Sequence, residues 1–305
     1  MIAGPTASGK SRLAVRAAQE FDGVVINADS MQVYRRLRIL TARPSAEDEA
    51  AAPHRLYGWL EPDDPCSAAR WREAALDEIR AASAAGRLPI VVGGSGFYIE
   101  ALMRGLPAAP EIPEAIRAEA RAEAATDPAG VHARLVAADP ATAARISPAD
   151  PQRLARALEV WRAAGTPPSV ALGGAAAAPD GLRFHVVVLA PEREALYRRI
   201  DARAAEMAVE GAAAEAAAFM GCGFDPDLPA AKAVGLREFA AAARDERLLP
   251  EAVAATAQAS RRYAKRQITW LRNRLVADRN IDQQVNFNNA DHFVRELRPF
   301  SLTGR

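Results

Sequence analysis

Gly4-Pro5-Thr6-Ala7-Ser8-Gly9-Lys10-Ser11 decides the fold. It matches in full the phosphate-cradling pattern G-x-x-x-x-G-K-[ST], and each part has a physical task. Gly4 and Gly9 let the backbone curl where a side chain would clash. The curled amides turn inward as a nest for an anion, and the helical pattern that starts near Lys10 adds the positive end of its dipole. Lys10 supplies a mobile cation for an outer phosphate, and the Ser11 hydroxyl is placed to ligate magnesium. The motif specifies a phosphoanhydride or diphosphate; it names neither a nucleotide nor a reaction. Only Met1-Ile2-Ala3 precede Gly4, whereas a strand of about five residues is typical. The first strand is therefore expected to be clipped, or to have its native start upstream.

Outward from this loop, Val24-Val25-Ile26 reads as a short buried strand ending at Asn27-Ala28-Asp29. Leu88-Pro89-Ile90-Val91-Val92 is another, ending in Gly93-Gly94, and residues 184–189 (F-H-V-V-V-L) are a third. Helical patterns lie between and after them. Residues 11–20 carry Leu13, Ala14, Ala17 and Ala18 on one face, and residues 68–85 form a longer stretch. Apolar strands alternating with helices predict a P-loop-like α/β core, a parallel sheet with helices on both faces. Ligands in such sheets bind at the carboxyl ends of strands, so Gly4, Asp29 and Gly93-Gly94-Ser95 are expected to converge on one crevice. Between Gly105 and Gly181 the strand pattern disappears. Pro107, Pro110 and Pro113 mark an exit, residues 114–164 read as several Ala-rich helices, and residues 165–181 form a Gly/Pro/Ala return loop. The expected division is a first part of the core at 1–106, a mobile helical insertion at 107–180, and a core completion with a helical C-terminal part at 181–305. The tail, with N-F-N-N at 286–289, is polar and carries no pattern.

The chain has 305 residues, half of them hydrophobic and a quarter charged, with a formal net charge of +1. A global basic field is absent, so any nucleic-acid site must be a local patch. Cys66 and Cys222 stand far apart without a C-x-x-C, and His54, His132, His185 and His292 share no ligand spacing. That argues against a disulfide framework or a zinc site and suits a reducing cytoplasm. No signal peptide and no apolar run of membrane-spanning length appear. A cytoplasmic protein is expected, and nothing in the sequence demands a dimer, so a monomer is.

Asp29 admits two readings: a magnesium-holding acid as in phosphotransferases, or part of a base-gripping segment with Ser30, Met31 and Gln32, since Gln can meet a base edge bidentately. Ser95 is expected to place its hydroxyl near Asp29 and orient that carboxylate. Residues 261–274 (R-R-Y-A-K-R-Q-I-T-W-L-R-N-R) interleave six basic residues with Tyr263 and Trp270, without an acid. Ile268, Leu271 and Leu275 give this helix a core face and turn Lys265, Arg266 and Arg272 outward, a pattern suited to nucleic acid. Arg153 and Arg156 share a helix face at i, i+3. Arg203 either pairs at the surface with Asp201 or Glu206, or faces a phosphate.

Taken together, six segments resemble the bacterial tRNA dimethylallyltransferases, also called tRNA isopentenyltransferases. They are G-P-T-A-S-G-K-S at 4–11, D-S-M-Q-V-Y at 29–34, A-P-H-R-L at 52–56, G-G-S at 93–95, D-P-Q-R-L-A-R-A-L-E-V at 150–160 and K-R-Q-I-T-W-L-R at 265–272. The resemblance implies transfer of a dimethylallyl group to the exocyclic amine of the adenosine immediately 3′ of the anticodon. The P-loop, residues 4–11, would then hold the diphosphate of dimethylallyl diphosphate with Mg2+. The resemblance makes Asp29 the general base, Lys10 and Ser11 diphosphate and metal contacts, and Arg203 a further diphosphate contact. It implies tRNA contacts at Asp29, Ser30, Met31 and Gln32, at Gln152, Arg153, Leu154, Ala155 and Arg156, and at Lys232, Gly235 and Arg237. Lys265, Arg266, Gln267, Ile268, Thr269, Trp270, Leu271 and Arg272 are implied as well, with Ser95 and Arg117. The chain departs from the usual pattern in having Ser95 where Thr is common and Ser11 where Thr is commoner. A small-molecule or nucleoside kinase would use the P-loop and Asp29 equally well, but leaves Gln32 and residues 261–274 without a task. A nucleic-acid-binding module with a regulatory P-loop is a third reading.

Overall fold

A computed structural model describes residues 1–301 apart from Ala175 and Phe287. Those two positions, in the expected return loop and in the N-F-N-N stretch, lie outside the described residues, as do residues 302–305. The chain divides into two compact units, one made of Met1–Met103 with Asp180–Arg305, the other of Arg104–Pro179.

The first unit is built on a six-stranded sheet in the order β3-β2-β4-β1-β5-β6. The strands are β1 (Ile2–Ala3), β2 (Gly23–Asn27), β3 (His54–Arg55), β4 (Leu88–Gly93), β5 (Val187–Leu189) and β6 (Arg279–Ile281), and every pairing is parallel. The two residues of β1 occupy the centre: Ile2 lies opposite Val92 of β4 on one side and Val187 of β5 on the other. Alternation along the strands divides the core. Ile2, Val25, Ile90, Val92, Val187 and Leu189 pack with Leu13, Ala14 and Ala17 of the helix Lys10–Glu20. Ala3, Val186 and Val188 pack on the other face with Ile99 and Leu271. Trp71, fully buried on the helix Ala68–Ala84, stacks on Tyr98 and donates its indole N–H to the Asn27 carbonyl at 2.8 Å. That one side chain fixes the end of β2 immediately before Asp29. It is a large apolar body with its single polar atom satisfied, the condition under which an indole is stable in a core.

The edge strands β3 and β6 and the helix Ala290–Ser301 were not expected from sequence, and β5 is shorter than the 184–189 pattern. Edge strands of two or three residues contain too few positions to show a period. The C-terminal helix covers the first helix, with Phe293, Val294 and Leu297 buried against the first core and Asp291 paired with Arg16.

The second unit is helical. Asp127-Pro128, Asp139-Pro140 and Asp150-Pro151 each open a helix: the carboxylate accepts the amide of Gly130, Thr142 or Arg153, and the proline fills the first helical position. Gly165, at φ 68°, ends the helix Pro151–Ala164 in the left-handed region. Ala120, Ala124, Val131, Leu135, Leu154 and Leu158 form its core.

Candidate active site

The P-loop follows β1 directly, so the sheet's centre delivers it to the carboxyl edge. Gly9 precedes the first helix at φ 92°, and no side chain caps that helix and no acid lies in its first turn. Its amides thus remain available to an anion, unlike those at the Asp-capped helices of the second unit. Gly9 also has no room for a Cβ, which would stand 2.3 Å from the Val285 carbonyl oxygen.

A cleft of about 690 Å³ opens in front of the loop, lined in part by Thr6, Lys10, Ser11, Arg12, Asp29, Gln32, Arg199 and Arg203. Burial lowers the Lys10 ammonium to about 8; Asp29 opposes the shift and Arg203 adds to it. Lys10 donates to the Pro5 carbonyl at 3.1 Å. Arg203 reaches into the cleft, its Nη1 3.4 Å from the Thr6 hydroxyl, and desolvation lowers its pKa. Asp201 is engaged by Arg261 instead, which removes one of the surface ion pairs open to Arg203. The oxygen donors on the cleft wall include the Ser11 hydroxyl and the Asp29 carboxylate, together with Thr6, Ser45, Glu47, Asp48 and Asp291. No group of three or more His, Cys, Asp or Glu is gathered for a metal among the described residues. Oxygen donors without a preformed cage suit Mg2+, which keeps waters and takes phosphate oxygens to complete its shell.

Asp29 sits at the end of β2, where its amide donates to the Asn27 side-chain carbonyl at 2.8 Å. Its own Oδ1 accepts the Met31 amide at 2.9 Å, so one carboxylate oxygen is held and Oδ2 carries no hydrogen bond among the described residues. Ser95 behaves differently from expectation. Its Oγ accepts the Ser30 amide at 2.9 Å and donates to the Ser30 hydroxyl at 3.2 Å. It therefore fixes the backbone after Asp29 rather than the carboxylate itself. Gln32 spends both amide hydrogens on the Thr41 and Ala42 carbonyls, at 2.8 and 2.9 Å, which leaves Oε1 as an acceptor and removes the bidentate option. Asp29 and Arg203 also line a second, smaller recess walled by Met31, Leu40, Ile200, Met207 and Val234, with Tyr263 at its side.

The remaining candidates fall into two groups. Lys265, Arg266, Thr269 and Arg272 point outward from the helix Leu249–Arg274, and Lys232 and Arg237 are exposed nearby in sequence. Ile268 and Trp270 are half-buried, and Gly235 opens a short helix at φ 87°. In the second unit Gln152, Arg153 and Arg156 are exposed, Arg153 beside Asp150 and Arg156 beside Glu159, while Arg117 is half-buried. Leu154, Ala155 and Leu271 are core residues, so their side chains offer nothing to a ligand. Gln267 also turns inward. It is 5% exposed, accepts the Thr6 amide at 2.8 Å and donates to the Gly94 carbonyl at 2.9 Å. Sequence reasoning missed the recess. Ile200, Arg203, Ala204 and Met207 share one face of the helix Arg193–Glu210, a spacing that signals a buried stripe without saying what it faces.

Residues 32–274 match the model of the IPP transferase family. A tRNA dimethylallyltransferase of Rhodospirillum centenum is 50% identical, covering 92% of this chain and 90% of that protein. One of Rhodospirillum rubrum is 48% identical, over 100% of this chain and 95% of that protein. Among solved structures, the full-length tRNA isopentenylpyrophosphate transferase of Bacillus halodurans superposes with a TM-score of 0.68 at 32% identity, covering 98% of this chain and 93% of that one. A eukaryotic dimethylallyltransferase acting on tRNA reaches 0.81 at 26% identity, covering 97% of this chain and 76% of that one.

Proposed function

This chain belongs to the IPP transferase family, and from that premise we propose that it moves the dimethylallyl group of dimethylallyl diphosphate onto a tRNA. The acceptor is the exocyclic amine of the adenosine immediately 3′ of the anticodon, and diphosphate is released. The observation that carries the reading is the position of Asp29, which lines both the cationic cleft and the apolar recess. A donor with its diphosphate on the P-loop and its hydrocarbon tail in the recess brings its reacting carbon, the link between head and tail, beside that carboxylate.

The amine is a weak nucleophile because its lone pair is delocalised into the ring. As its nitrogen bonds to the allylic carbon, the C–O bond to diphosphate breaks and Asp29 takes the amine proton. General base catalysis of this kind is worth roughly 10²–10⁴-fold. The residues of the loop 4–11, with Lys10 and Arg203, stabilise the charge that builds on the departing diphosphate. Mg2+, held by the Ser11 hydroxyl and diphosphate oxygens, would add positive charge at the same leaving group. The adenosine must leave its stack to reach Asp29, and the Gln32 acceptor is suited to a base N–H beside it. Lys265, Arg266 and Arg272, with Lys232 and Arg237, supply phosphate contacts that position the anticodon stem-loop; Arg117, Gln152, Arg153 and Arg156 of the insertion 107–180 supply more. Among the described residues no helix is long and apolar enough to cross a membrane. The proposed place of action is the cytoplasm, with the tRNA substrate, and the proposed form is a monomer. The relatives named above are allyl transferases, so the kinase reading is set aside.

The test is mass spectrometry of unmodified tRNA after incubation with the protein, magnesium and dimethylallyl diphosphate, with ATP replacing the donor in a parallel tube. A gain of one C5H8 on the adenosine beside the anticodon is expected. No gain, with ATP consumed in the parallel tube, would return Asp29 to a metal ligand.

A further inference from the structure

Ala7 is a non-glycine residue in the left-handed region, at φ 62°, in the middle of the P-loop. Alanine disfavours that conformation, which costs a ligand-free loop of this kind unless its surroundings hold it. The surroundings here are specific. The Pro5–Thr6 peptide is fixed at both ends: its N–H donates to Gln267 Oε1 at 2.8 Å, and its carbonyl accepts the Ser8 amide at 3.2 Å and the Lys10 ammonium at 3.1 Å. The Ala7–Ser8 peptide is fixed likewise. Its carbonyl accepts Gln284 Nε2 at 3.0 Å, and its N–H is the one that reaches Pro5. With both outer peptide planes set, Ala7 can leave the left-handed region only by a flip of the Thr6–Ala7 peptide between them, which would reverse the Ala7 N–H and the Thr6 carbonyl.

The two glutamines come from different elements, and each is itself held. Gln267 projects from the helix Leu249–Arg274, is buried, and is anchored to the Gly94 carbonyl; a Cβ on Gly94 would stand 2.3 Å from its Nε2. Gln284 lies after β6. The Asn289 side chain holds its carbonyl at 2.9 Å, and its neighbour Val285 abuts Gly9. We propose that Gln267 and Gln284 are positioning residues that clamp the P-loop from both sides, holding Ala7 left-handed so that the loop's amides converge on the diphosphate before it arrives. Neither touches the diphosphate. The clamp rests on the assignment of residues 4–11 as its site.

The test titrates inorganic diphosphate, with magnesium present, into the full chain by calorimetry. Gln284→Leu is expected to weaken binding by about tenfold, the scale of one lost hydrogen bond and the strain it offsets. Glycine adopts φ 62° without help, so Ala7→Gly should remove the need for the clamp: Gln284→Leu in that background binds within about twofold of Ala7→Gly alone. A general loss of structure would not be rescued in this way. Gln267→Met, which keeps the side chain's length, is expected to follow the same pattern and serves if Gln284→Leu fails to fold. Unchanged binding in both glutamine variants, or a loss that Ala7→Gly leaves intact, overturns the clamp. Lys10→Ala separates the two ideas. If it abolishes binding while the glutamine variants bind like wild type, the clamp alone fails; if wild type and Lys10→Ala bind equally, the diphosphate site itself fails and the clamp with it.

Discussion

A carboxylate with one oxygen tied and the other open can accept a proton without losing its orientation. Asp29 has that arrangement, because its Oδ1 is committed to the Met31 amide. Asp29→Ala should therefore lower single-turnover prenylation by roughly 10²–10⁴-fold while tRNA affinity, measured by filter binding, stays near wild type. Unchanged turnover would remove the base assignment. Lys10 makes a second prediction at this scale. Burial, opposed by Asp29 and reinforced by Arg203, lowers its ammonium to about 8, so the free protein loses this cation as pH rises through about 8. Diphosphate favours the charged form. Binding should then draw a proton from solution and weaken above pH 8, a decline that calorimetry in buffers of different ionisation heat would detect. Lys10→Met should bind weakly at every pH and lack the decline. The same decline in that variant would place the titrating group elsewhere.

The loop 4–11 and Asp29 could be read from sequence because their signals are local, a fixed spacing and a strand end. The helix Leu249–Arg274 shows where such reading stops. Its outward Lys265, Arg266 and Arg272 follow from the apolar spacing of Ile268 and Leu271, but nothing local tells that Gln267, in the same polar run, faces the P-loop. A polar side chain buried against a distant backbone leaves no periodic trace. Ser95 is a similar case: the crevice was foreseeable, its partner Ser30 was not. For this element the expectation concerns charge. Lys265→Ala should weaken tRNA binding modestly and reduce the dependence of log K on log salt by about one ion. A loss that does not change with salt would mean the helix had shifted instead.

At the scale of the whole chain, two units carry separate cores, and their stabilities can be perturbed separately. Asp139 is buried at 2% exposure. Burial alone would raise its pKa, yet hydrogen bonds from Thr142 and Ser169 hold it down, to about 2. A depressed carboxyl contributes stability above its unfolded value near 3.8 and loses it as pH falls through about 2. Asp139→Asn should destabilise the unit Arg104–Pro179 by about 1–2 kcal/mol and flatten the acid limb of its unfolding between those values. Hydrogen exchange resolved by segment would show the loss confined to that unit, with diphosphate binding in the other unit retained. Equal loss of protection in both units would mean they unfold as one.

The two-residue strand β1 also sets an order of events during synthesis. Ile2 and Ala3 leave the ribosome well before their neighbours Val92-Gly93 and Val187-Val188, and before the glutamines at 267 and 284 that brace the loop. At translation speeds of about 5–20 residues per second, the interval between β1 and β5 is roughly 10–40 s. Throughout it the phosphate loop has sequence but no seat, and the helical unit is complete before that seat exists. A nascent chain thus gains its braced anion site only after residues 267 and 284 have been made, so a product terminated before them has no such cradle in which to sequester the donor.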